Sequence, residues 1–558
     1  MPVRLPSVGV SEGAAAASSA AGRAWESRRR IPLPALATAL AVGVFLAVAI
    51  LPLVLMVEQS FVRDGTFTLE NYRAVLSSDR HLVLFMRTLA IGLGATMLAL
   101  GVGVPFSLAA ARTDAPFGRV LAYLLMAGVI VPPYFHAMAW TFLLMPNGLL
   151  GRLLDQLGLG AAPLSLLCTA PGAAVLLALA HLPYVVLMTM AGLRSMDGRL
   201  EEAAMLSRGW PAALARVTVP LAMPQILCAA VFVLIFTISD YGVPALLSVN
   251  TYPVEVFVQF STFFEGGKAT AVAVPLVVVA VLLLLVQQRY LRGRPLVVLS
   301  SASTPPVAIR LGRARWVVLL GMAIAALGAV VLPIGALVGA SGGFIAYRVA
   351  LATTWPVILE SAGLAALAAT AAVPLAFFLA YVIERGPRRL VRYLNLATLV
   401  PFAVPGTVLG IGLIRAWNRT GLEYIYGCWL VLVLAYVARL SPFAVRVMTS
   451  SLGQVDIQLE EAALLSKASW WSRLGRVVAP ATGRGLAVAW FIVFVLAMGE
   501  LGTTVLVVPP GHETLALKIY TLMHYGANEL VAALCVILVG IGAAALAALA
   551  LPLWGRRR

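Results

Sequence analysis

The sequence predicts an all-α polytopic membrane protein with about twelve transmembrane helices, arranged as two parallel six-helix repeats. Two observations carry this fold class. The chain of 558 residues is 61% hydrophobic and only 11% charged, which excludes an ordinary soluble globular protein. In addition, one polar segment occurs twice, at a separation close to half the chain length. Long apolar runs predict the helices, and the duplication groups them into two halves.

A helix needs about 20 consecutive apolar residues to cross a bilayer, and each half contains six such stretches. In the first half they lie near 33–57, 84–111, 119–145, 170–193, 222–247 and 269–287. In the second half they lie near 315–339, 358–383, 390–416, 427–450, 484–507 and 530–554. The residues between these stretches are too few to form a separate soluble domain.

The repeated segment is polar and precedes the fifth apolar stretch of each half. Residues 201–220 read EEAAMLSRGWPAALARVTVP, and residues 460–480 read EEAALLSKASWWSRLGRVVAP; we call them the twin segments. Their first residues are 259 positions apart and their closing prolines, Pro220 and Pro480, are 260 apart, so the copies differ by one inserted residue. Such a period indicates two versions of one domain joined head to tail.

The repeats predict four regions. Residues 1–31 are rich in Ala, Ser, Gly and Arg and are expected to form a disordered cytoplasmic tail. The first transmembrane domain takes residues 32–287, and the second takes residues 315–555. Residues 288–314, with their paired serines and prolines, are expected to form a cytoplasmic linker between the two domains.

The basic residues predict the orientation. Most of the 40 Lys and Arg residues fall in the tail, the linker and alternate loops, which places these parts on the cytoplasmic side. Both termini and both twin segments are therefore expected in the cytoplasm. This topology and attraction to anionic lipid head groups explain the net charge of +17. We expect a lipid bilayer as partner and no nucleic acid, because the charges are scattered over short loops.

Each twin segment is expected to form a helix, a turn and a second helix along the membrane. The run from Glu202 to Leu206 has high helix propensity, and Gly209-Trp210-Pro211 breaks it. In the second copy, Ser469 can begin the second helix. A short helix that presents Ala, Leu and Met between charged residues suits a groove on a soluble partner. An ordinary amphipathic interfacial loop is the alternative, and the presence of two copies favours docking.

The twin segments resemble the Glu-Ala-Ala loop of permease subunits of type I ATP-binding cassette (ABC) importers, which lie in the bacterial inner (plasma) membrane and work with a periplasmic solute-binding protein. The resemblance covers nearly the whole chain, as two fused permease domains. It implies that each loop is a coupling helix for a cytoplasmic ATPase subunit, with two such subunits per chain. Carried over by position, the family's Glu-Ala-Ala falls on Glu202-Ala203-Ala204 and Glu461-Ala462-Ala463. The predicted ATPase-docking residues are Glu201, Glu202, Ala203, Ala204, Gly209, Glu460, Glu461, Ala462, Ala463 and Lys467. Where the family has a glycine a few residues later, the second copy has Lys467 and the first has Ser207 or Arg208, with Gly209 nearby, so the turn is expected to be built differently.

The sequence contains no Walker A loop, which would need Gly-x-x-x-x-Gly-Lys-Ser/Thr to wrap phosphate groups. Gly266-Gly267-Lys268-Ala269 lacks the leading glycine and the hydroxyl, and no glycine precedes Lys467 or Lys518. We therefore expect a pore-forming subunit that is not an enzyme and binds no cofactor. ATP and magnesium would be used by the partner ATPase.

Two acidic residues follow the twin segments at matching positions. Asp240 and Glu500 are 260 residues apart, each next to the end of a fifth apolar stretch. Paired carboxylates beside a pseudo-twofold axis would give a negative ring suited to a cation, so Asp240, Tyr241 and Glu500 are predicted to line the translocation path. The alternative is that each acid merely caps a helix end. Pro132-Pro133 and Pro401/Pro405 should bend or break their helices.

Three runs near the outer side resemble the fused permeases of ferric-iron importers: Asp240-Tyr241-Gly242-Val243-Pro244, Pro401-Phe402-Ala403-Val404-Pro405-Gly406-Thr407 and Pro509-Pro510-Gly511-His512-Glu513-Thr514-Leu515. Related fused permeases carry thiamine, aminoethylphosphonate or polyamines, so these solutes stay open. Several residues are ligand types that a ferric ion accepts, but docking of the binding protein is the simpler role for them. They are His512, Glu513, Tyr520, His524 and Tyr525.

Two rival functions and one cysteine question remain open at this point. A secondary transporter could use Asp240 and Glu500 to couple to an ion gradient, without an ATPase. A membrane enzyme would need His, Cys or acidic residues clustered at catalytic spacing, and the sequence has no such cluster. Cys168 and Cys428 are 260 residues apart near the outer side, where a disulfide and two packed thiols are both open.

Overall fold

The computed structural model describes residues 35–63, 65–160, 162–291 and 308–555. Within these residues, nine helices are long and apolar enough to cross a membrane, and three bent helix pairs raise the number of candidate spans to twelve. This confirms the predicted all-α polytopic membrane fold. The predicted tail, residues 1–31, lies outside the described residues, as do residues 292–307 of the predicted linker, and the domain boundaries stay predictions.

The twelve spans follow the predicted order. In the first half they are Leu36–Ser60, Asp79–Arg112, Gly118–Ile130 with Pro133–Leu144, Ala170–Arg194, Gly209–Ile238 and Gly266–Leu291. In the second half they are Gly312–Ala340, Phe344–Arg385, Arg389–Ala403 with Gly406–Trp417, Leu430–Gly453, Trp470–Ala481 with Gly483–Met498, and Asn528–Ala550. We number them from span 1 to span 12 in this order.

Short elements connect the spans. A two-residue hairpin pairs β1 (Val62–Arg63) with β2 (Thr66–Phe67) in antiparallel register. The short helices of the first half are Glu70–Leu76, Leu149–Gln156, Ala162–Leu167, Gly198–Ala213, Gly242–Leu246 and Tyr252–Ser261. Those of the second half are Glu423–Tyr426, Ile457–Leu465, Thr504–Val507 and Leu515–His524.

Prolines break spans 3 and 9, as the sequence predicts. The two helices of span 3 meet at Pro132-Pro133 with a bend of 105°, and those of span 9 meet next to Pro405 with a bend of 108°. Proline cannot donate the backbone hydrogen bond that would continue a helix, and its ring excludes the preceding residue from the helical conformation. Span 11 is also bent, by 73°, at a break that the sequence did not predict.

Spans 2 and 8 are longer than a bilayer requires. Asp79–Arg112 has 34 residues and Phe344–Arg385 has 42, so at about 1.5 Å per residue both exceed a hydrocarbon core of about 30 Å. Span 8 begins 14 residues before the predicted position 358. Each of these helices ends in an arginine, Arg112 or Arg385, beside a twin segment.

The first span of each half packs against the other half. Span 1 contacts spans 8, 9 and 10, and span 7 contacts spans 3 and 4. The ring Nε2 of His136 in span 3 lies 2.9 Å from the carbonyl oxygen of Ala329 in span 7. At Gly412 in span 9, an added Cβ would lie 2.4 Å from the carbonyl oxygen of Pro52 in span 1. The two halves are therefore interlocked by an exchange of their first helices.

The end of the linker forms one strand-like contact with the first half. The Ile309 N–H donates to the Arg112 carbonyl at 2.8 Å, and the Asp114 N–H donates to the Ile309 carbonyl at 3.1 Å. The Asp114 side chain also accepts a hydrogen bond from the Leu311 N–H at 2.9 Å. Span 7 therefore starts from a fixed point next to the end of span 2.

Candidate functional site

The first twin segment folds as the expected helix, turn and helix. The Asp197 side chain accepts a hydrogen bond from the Arg199 N–H at 3.1 Å and caps the start of Gly198–Ala213. Gly209 then interrupts this helix with φ 74° and ψ 176°, a conformation almost restricted to glycine. A five-residue π-helical turn, Leu214–Thr218, leads into span 5 ahead of Pro220.

The second twin segment reaches the same shape with different residues. Asp456 caps Ile457–Leu465 by accepting from the Gln458 N–H at 3.0 Å. Ser469 caps the next helix, Trp470–Arg473, by accepting from the Ser472 N–H at 3.2 Å. Lys467 lies in the turn between them with φ 56°, the left-handed conformation that favours glycine. Lys467, which stands where the resemblance predicts glycine, thus has a positive φ.

The predicted docking residues separate into an inner and an outer group. Glu201 and Glu460 are buried, at 1% and 0% exposure, so neither can contact a soluble partner. The other eight are exposed or half-buried on the twin segments: Glu202, Ala203, Ala204, Gly209, Glu461, Ala462, Ala463 and Lys467. Only this outer group can form a docking surface.

Each inner glutamate anchors its segment to a long helix. The Arg112 Nε lies 2.9 Å from Glu201 Oε1, and the Arg385 Nε lies 2.9 Å from Glu460 Oε1. All four side chains are at most 3% exposed. Breaking such a buried pair by removing one partner costs about 3–5 kcal/mol. A displacement of either twin segment should therefore move the end of span 2 or span 8 with it.

Exposed leucines extend the docking surface beyond the predicted residues. Leu206 and Leu465 are 91% and 86% exposed, and Leu200 and Leu459 are both 52% exposed. Each pair is separated by 259 residues, the spacing of the twin segments themselves. The 259-residue spacing of these leucines could have identified them from the sequence. These leucines therefore join the eight exposed or half-buried predicted docking residues as candidates for contact with a partner.

Asp240, Tyr241 and Glu500 come together at one central cavity of about 120 Å³ between the halves. Asp240 and Tyr241 follow span 5, which ends at Ile238 rather than near the predicted position 247, and Glu500 follows span 11. Phe402, Arg439 and Tyr134 contribute to the same walls. The structure therefore places all three predicted path residues around a single cavity to which both halves contribute.

Both acids also cap helices, as the alternative interpretation proposed. Asp240 Oδ1 accepts a hydrogen bond from the Val243 N–H at 2.8 Å, which starts Gly242–Leu246. Glu500 Oε1 accepts from the N–H and the hydroxyl of Thr503 at 3.0 and 3.1 Å. The Asp240 bond belongs to a separate short helix, Gly242–Leu246, which takes up residues that the sequence assigned to span 5. The two roles are compatible, because each carboxylate uses one oxygen for its cap and lines the cavity as well.

Three cavity residues were not predicted. Arg439 adds a positive charge, and its Nη1 donates to the Val404 carbonyl. The Tyr134 and Ser239 hydroxyls are buried and have no hydrogen-bond partner among the described residues. A buried polar group without a partner costs about 1–3 kcal/mol, so these hydroxyls point to a ligand or water in the cavity. Their sequence neighbourhoods gave no such signal, because it depends on helix packing.

Two groups of aromatic side chains pack around the cavity. Towards the twin segments, Phe232, Phe236, Phe402 and Phe443 form a cluster with ring centroids 4.4–6.2 Å apart. At the opposite end, the Tyr241 ring lies 4.9 Å from Phe257 and 6.0 Å from Tyr520. The Tyr241 and Tyr520 hydroxyls are hydrogen-bonded at 2.8 Å across the two halves.

The residues near 512–525 do not converge on one metal site. His512 Nδ1 pairs with Glu360, Glu513 pairs with Lys518 at 3.0 Å, and Tyr525 is 80% exposed. Among the described residues, no group of three or more His, Cys, Asp or Glu side chains could hold a metal ion. Cys168 and Cys428 are both free thiols. The docking interpretation of this surface stays a prediction.

The chain resembles transport-system permeases, although no protein-family model matches it. A Haemophilus influenzae protein named as a ferric transport system permease is 24% identical over 453 residues, 77% of this chain and 70% of the relative. A ferric transport system permease protein of Actinobacillus pleuropneumoniae is 24% identical over 75% of this chain and 63% of its own length. A Salmonella paratyphi A protein named as a 2-aminoethylphosphonate transport system permease is 28% identical over 34% of this chain and 70% of itself.

Proposed function

We propose that the chain is the membrane-spanning permease of a binding-protein-dependent ABC importer for ferric iron. It would form the translocation path and couple to a separate ATPase. One observation carries the proposal: two equivalent segments expose leucines and are each anchored by a buried ion pair to a long span. The named ferric permeases that it resembles over three quarters of its length support the same function.

The anchored segments supply the mechanical link. Two ATPase subunits on the cytoplasmic side would bind the outer surfaces of the twin segments and draw them together when they close on ATP. Because Glu201 and Glu460 hold Arg112 and Arg385 at 2.9 Å, the ends of spans 2 and 8 would follow. The chain itself would contribute the moving twin segments and the translocation path, and it would catalyse no reaction.

The aromatic clusters supply two barriers for alternating access. In the present conformation Phe232, Phe402 and Phe443 pack together on the cytoplasmic side of the cavity, while Tyr241 and Tyr520 are bonded on the outer side. A solute delivered by the periplasmic binding protein would enter when the outer contact opens. Relative movement of the halves would then open the phenylalanine cluster towards the cytoplasm.

Import of a small zwitterion such as 2-aminoethylphosphonate is the second candidate function. Arg439 lines the cavity together with Asp240 and Glu500, and charges of both signs suit a solute that carries an amine and a phosphonate. The resemblance to 2-aminoethylphosphonate permeases, at 28% identity over 187 residues, supports this alternative.

The docking role can be tested by purifying the tagged chain from its own membranes and quantifying the ATPase that accompanies it. We expect two cassette ATPase subunits per chain. Glu202→Ala with Glu461→Ala should weaken their association, and Leu206→Asp with Leu465→Asp should reduce it by about tenfold or more, because an exposed apolar contact is replaced by charge. Glu70→Ala with Glu423→Ala is the control, since these residues lie on connections at the opposite end of the bundle. Unchanged ATPase recovery in both docking variants would refute the coupling role.

Transport itself separates the candidates. Reconstituted complexes should take up radioactive ferric iron with the binding protein and ATP, and vanadate should stop uptake. Uptake of radioactive 2-aminoethylphosphonate by the same complexes, without uptake of iron, would favour the second candidate. Uptake that follows an ion gradient without ATPase would instead support a secondary transporter.

A further inference from the structure

We propose that Asp240, Glu500 and Tyr134 form a transit site for a hard metal cation in the central cavity, and that Arg439 keeps binding there weak. This inference rests on the proposed import of ferric iron and gives the solute a stopping point within the membrane. It concerns the cavity alone and does not involve the surface at 512–525.

The two acids reach the cavity from equivalent places in the two halves. Asp240 Oδ1 and Glu500 Oε1 are occupied by the caps described above, at 2.8 and 3.0 Å. Their other oxygens, Oδ2 and Oε2, accept no hydrogen bond from the described residues. Each acid is therefore held in place by one oxygen and has a second oxygen free for a ligand.

The Tyr134 hydroxyl provides evidence for a ligand that is independent of the two acids. Tyr134 begins the second helix of span 3 immediately after Pro133, is 4% exposed and lines the cavity, yet its hydroxyl has no partner among the described residues. Gly242 makes room for this ring, because an added Cβ there would lie 3.0 Å from the Tyr134 Cβ. The Ser239 hydroxyl, also buried and without a partner in the described part of the chain, lies on the same wall.

The donor set selects the class of ligand. Two carboxylates, a phenol and a hydroxyl are hard oxygen donors, which suit hard cations rather than soft ones. The cavity volume of about 120 Å³ is well below the ~300–1,000 Å³ typical of sites for drug-sized ligands. A metal ion with part of its water shell fits these properties, whereas thiamine or a polyamine would require a much larger opening.

Arg439 explains how such a site could release its ion. A transport site must bind strongly enough for the ion to enter and weakly enough for it to leave. With two carboxylates and one guanidinium on its walls, the cavity carries a single net negative charge when both acids are ionised. The equivalent position of the first half is Ala180, 259 residues earlier. The first half therefore has no arginine that would match Arg439.

The site can be tested without transport by adding Tb³⁺ alone to the purified full-length chain in detergent. Tb³⁺ is a hard trivalent cation whose emission increases when a nearby tyrosine or tryptophan transfers energy to it. We expect one saturable site, with at least tenfold weaker binding in Asp240→Asn and Glu500→Gln and about threefold weaker binding in Tyr134→Phe. Asn and Gln keep the acceptor oxygen of each cap, so the local fold should be preserved.

The variant Arg439→Met provides the opposite expectation. Removal of its charge should tighten Tb³⁺ binding about tenfold, a gain that misfolding cannot produce. Tyr436→Phe is the matched control for Tyr134, because its hydroxyl is already bonded to Thr504 at 3.1 Å. Glu513→Gln is the control for acids outside the cavity, since Glu513 pairs with Lys518. Both controls should bind Tb³⁺ like the unmodified chain.

Equal Tb³⁺ affinity in the unmodified chain, Asp240→Asn and Glu500→Gln would overturn the transit site, and so would weaker binding in Arg439→Met. Iron uptake by the complete importer separates this failure from failure of the proposed function. If iron is imported but the cavity variants bind Tb³⁺ unchanged, the transit site is wrong and the importer stands. If the complex imports no iron while the cavity variants lose Tb³⁺ as expected, the site stands and the assigned solute is wrong.

Discussion

Glu201 and Glu460 hold the same position in the two twin segments, yet different side chains complete their surroundings. Glu201 accepts a hydrogen bond from the Thr218 hydroxyl at 2.9 Å, whereas Glu460 accepts one from the Tyr381 hydroxyl at 2.7 Å. The position of Thr218 is occupied by Val478 in the second half. What both halves retain is the contact between glutamate and the arginine that ends the preceding long helix.

The second half also buries an additional arginine. Arg473 is 3% exposed, and its Nε and Nη1 have no hydrogen-bond partner among the described residues. The equivalent residue of the first half is Ala213. The anchoring ion pair is therefore the structural element that the halves share, while the groups around it differ in both charge and hydrogen bonding.

Replacing each anchoring arginine separately should give the largest difference in unfolding free energy between the halves. Arg112→Met leaves Glu201 buried with one hydroxyl as partner, and we expect a loss of about 3–5 kcal/mol of unfolding free energy. Arg385→Met should cost less, because the Tyr381 hydroxyl still donates to Glu460 at 2.7 Å and the buried Arg473, whose charge acts on Tyr381, supplies a cation to the same region. Denaturant unfolding of the purified variants in detergent measures both losses. An equal or greater loss in Arg385→Met would mean that Arg473 does not compensate Glu460.

Arg473→Met should change the free energy of unfolding by a smaller amount, and the change should be an increase. A buried arginine with unpaired N–H groups is unfavourable, and a methionine of similar length removes that cost, so we expect stabilisation by about 1–2 kcal/mol. In the Arg385→Met background the same change should instead be destabilising, because Arg473 is then the remaining cation beside Glu460. The double-mutant cycle measures this reversal. Additive effects of the two changes would exclude any interaction between the two arginines through Glu460.

The sequence was sufficient to predict the spans and to single out the two acids that line the cavity. Apolar runs determine membrane helices because the bilayer leaves few alternatives, and Pro132 and Pro405 lie at the two predicted bends. The 260-residue spacing of Asp240 and Glu500 was enough to place them at equivalent depths. These inferences needed only local composition and a repeat.

The remaining features depend on contacts between distant parts of the chain. Arg112 and Glu201 are 89 residues apart, and sequence reasoning assigned Glu201 to a docking surface, where only Glu202 is accessible. Arg439 and Tyr134 reach the cavity through the bends and packing of separate helices. The sequence did contain one signal. A long apolar run in each half ends in arginine, and this arginine could have been proposed as the partner of a glutamate at the start of the twin segment.

The two turns provide the finest comparison of the twin segments. Gly209 and Lys467 both have positive φ, at 74° and 56°, and Gly209 combines it with a ψ of 176°. An added Cβ at Gly209 would meet no atom within 4 Å, so any cost of Gly209→Ala arises from the backbone alone. We expect a loss of about 1–3 kcal/mol for this change. Lys467→Gly should gain less than about 1 kcal/mol, because relief of the left-handed conformation is partly offset by the greater entropy of glycine in the unfolded chain.

Unfolding in detergent measures the stability of both turn variants, and recovery of the ATPase shows whether the turn conformation affects docking. We expect Lys467→Ala, which keeps a side chain with the same backbone strain, to match the unmodified chain in stability. If Gly209→Ala were as harmless as Lys467→Ala, the first turn would tolerate any residue. The glycine would then reflect sequence history rather than a backbone requirement.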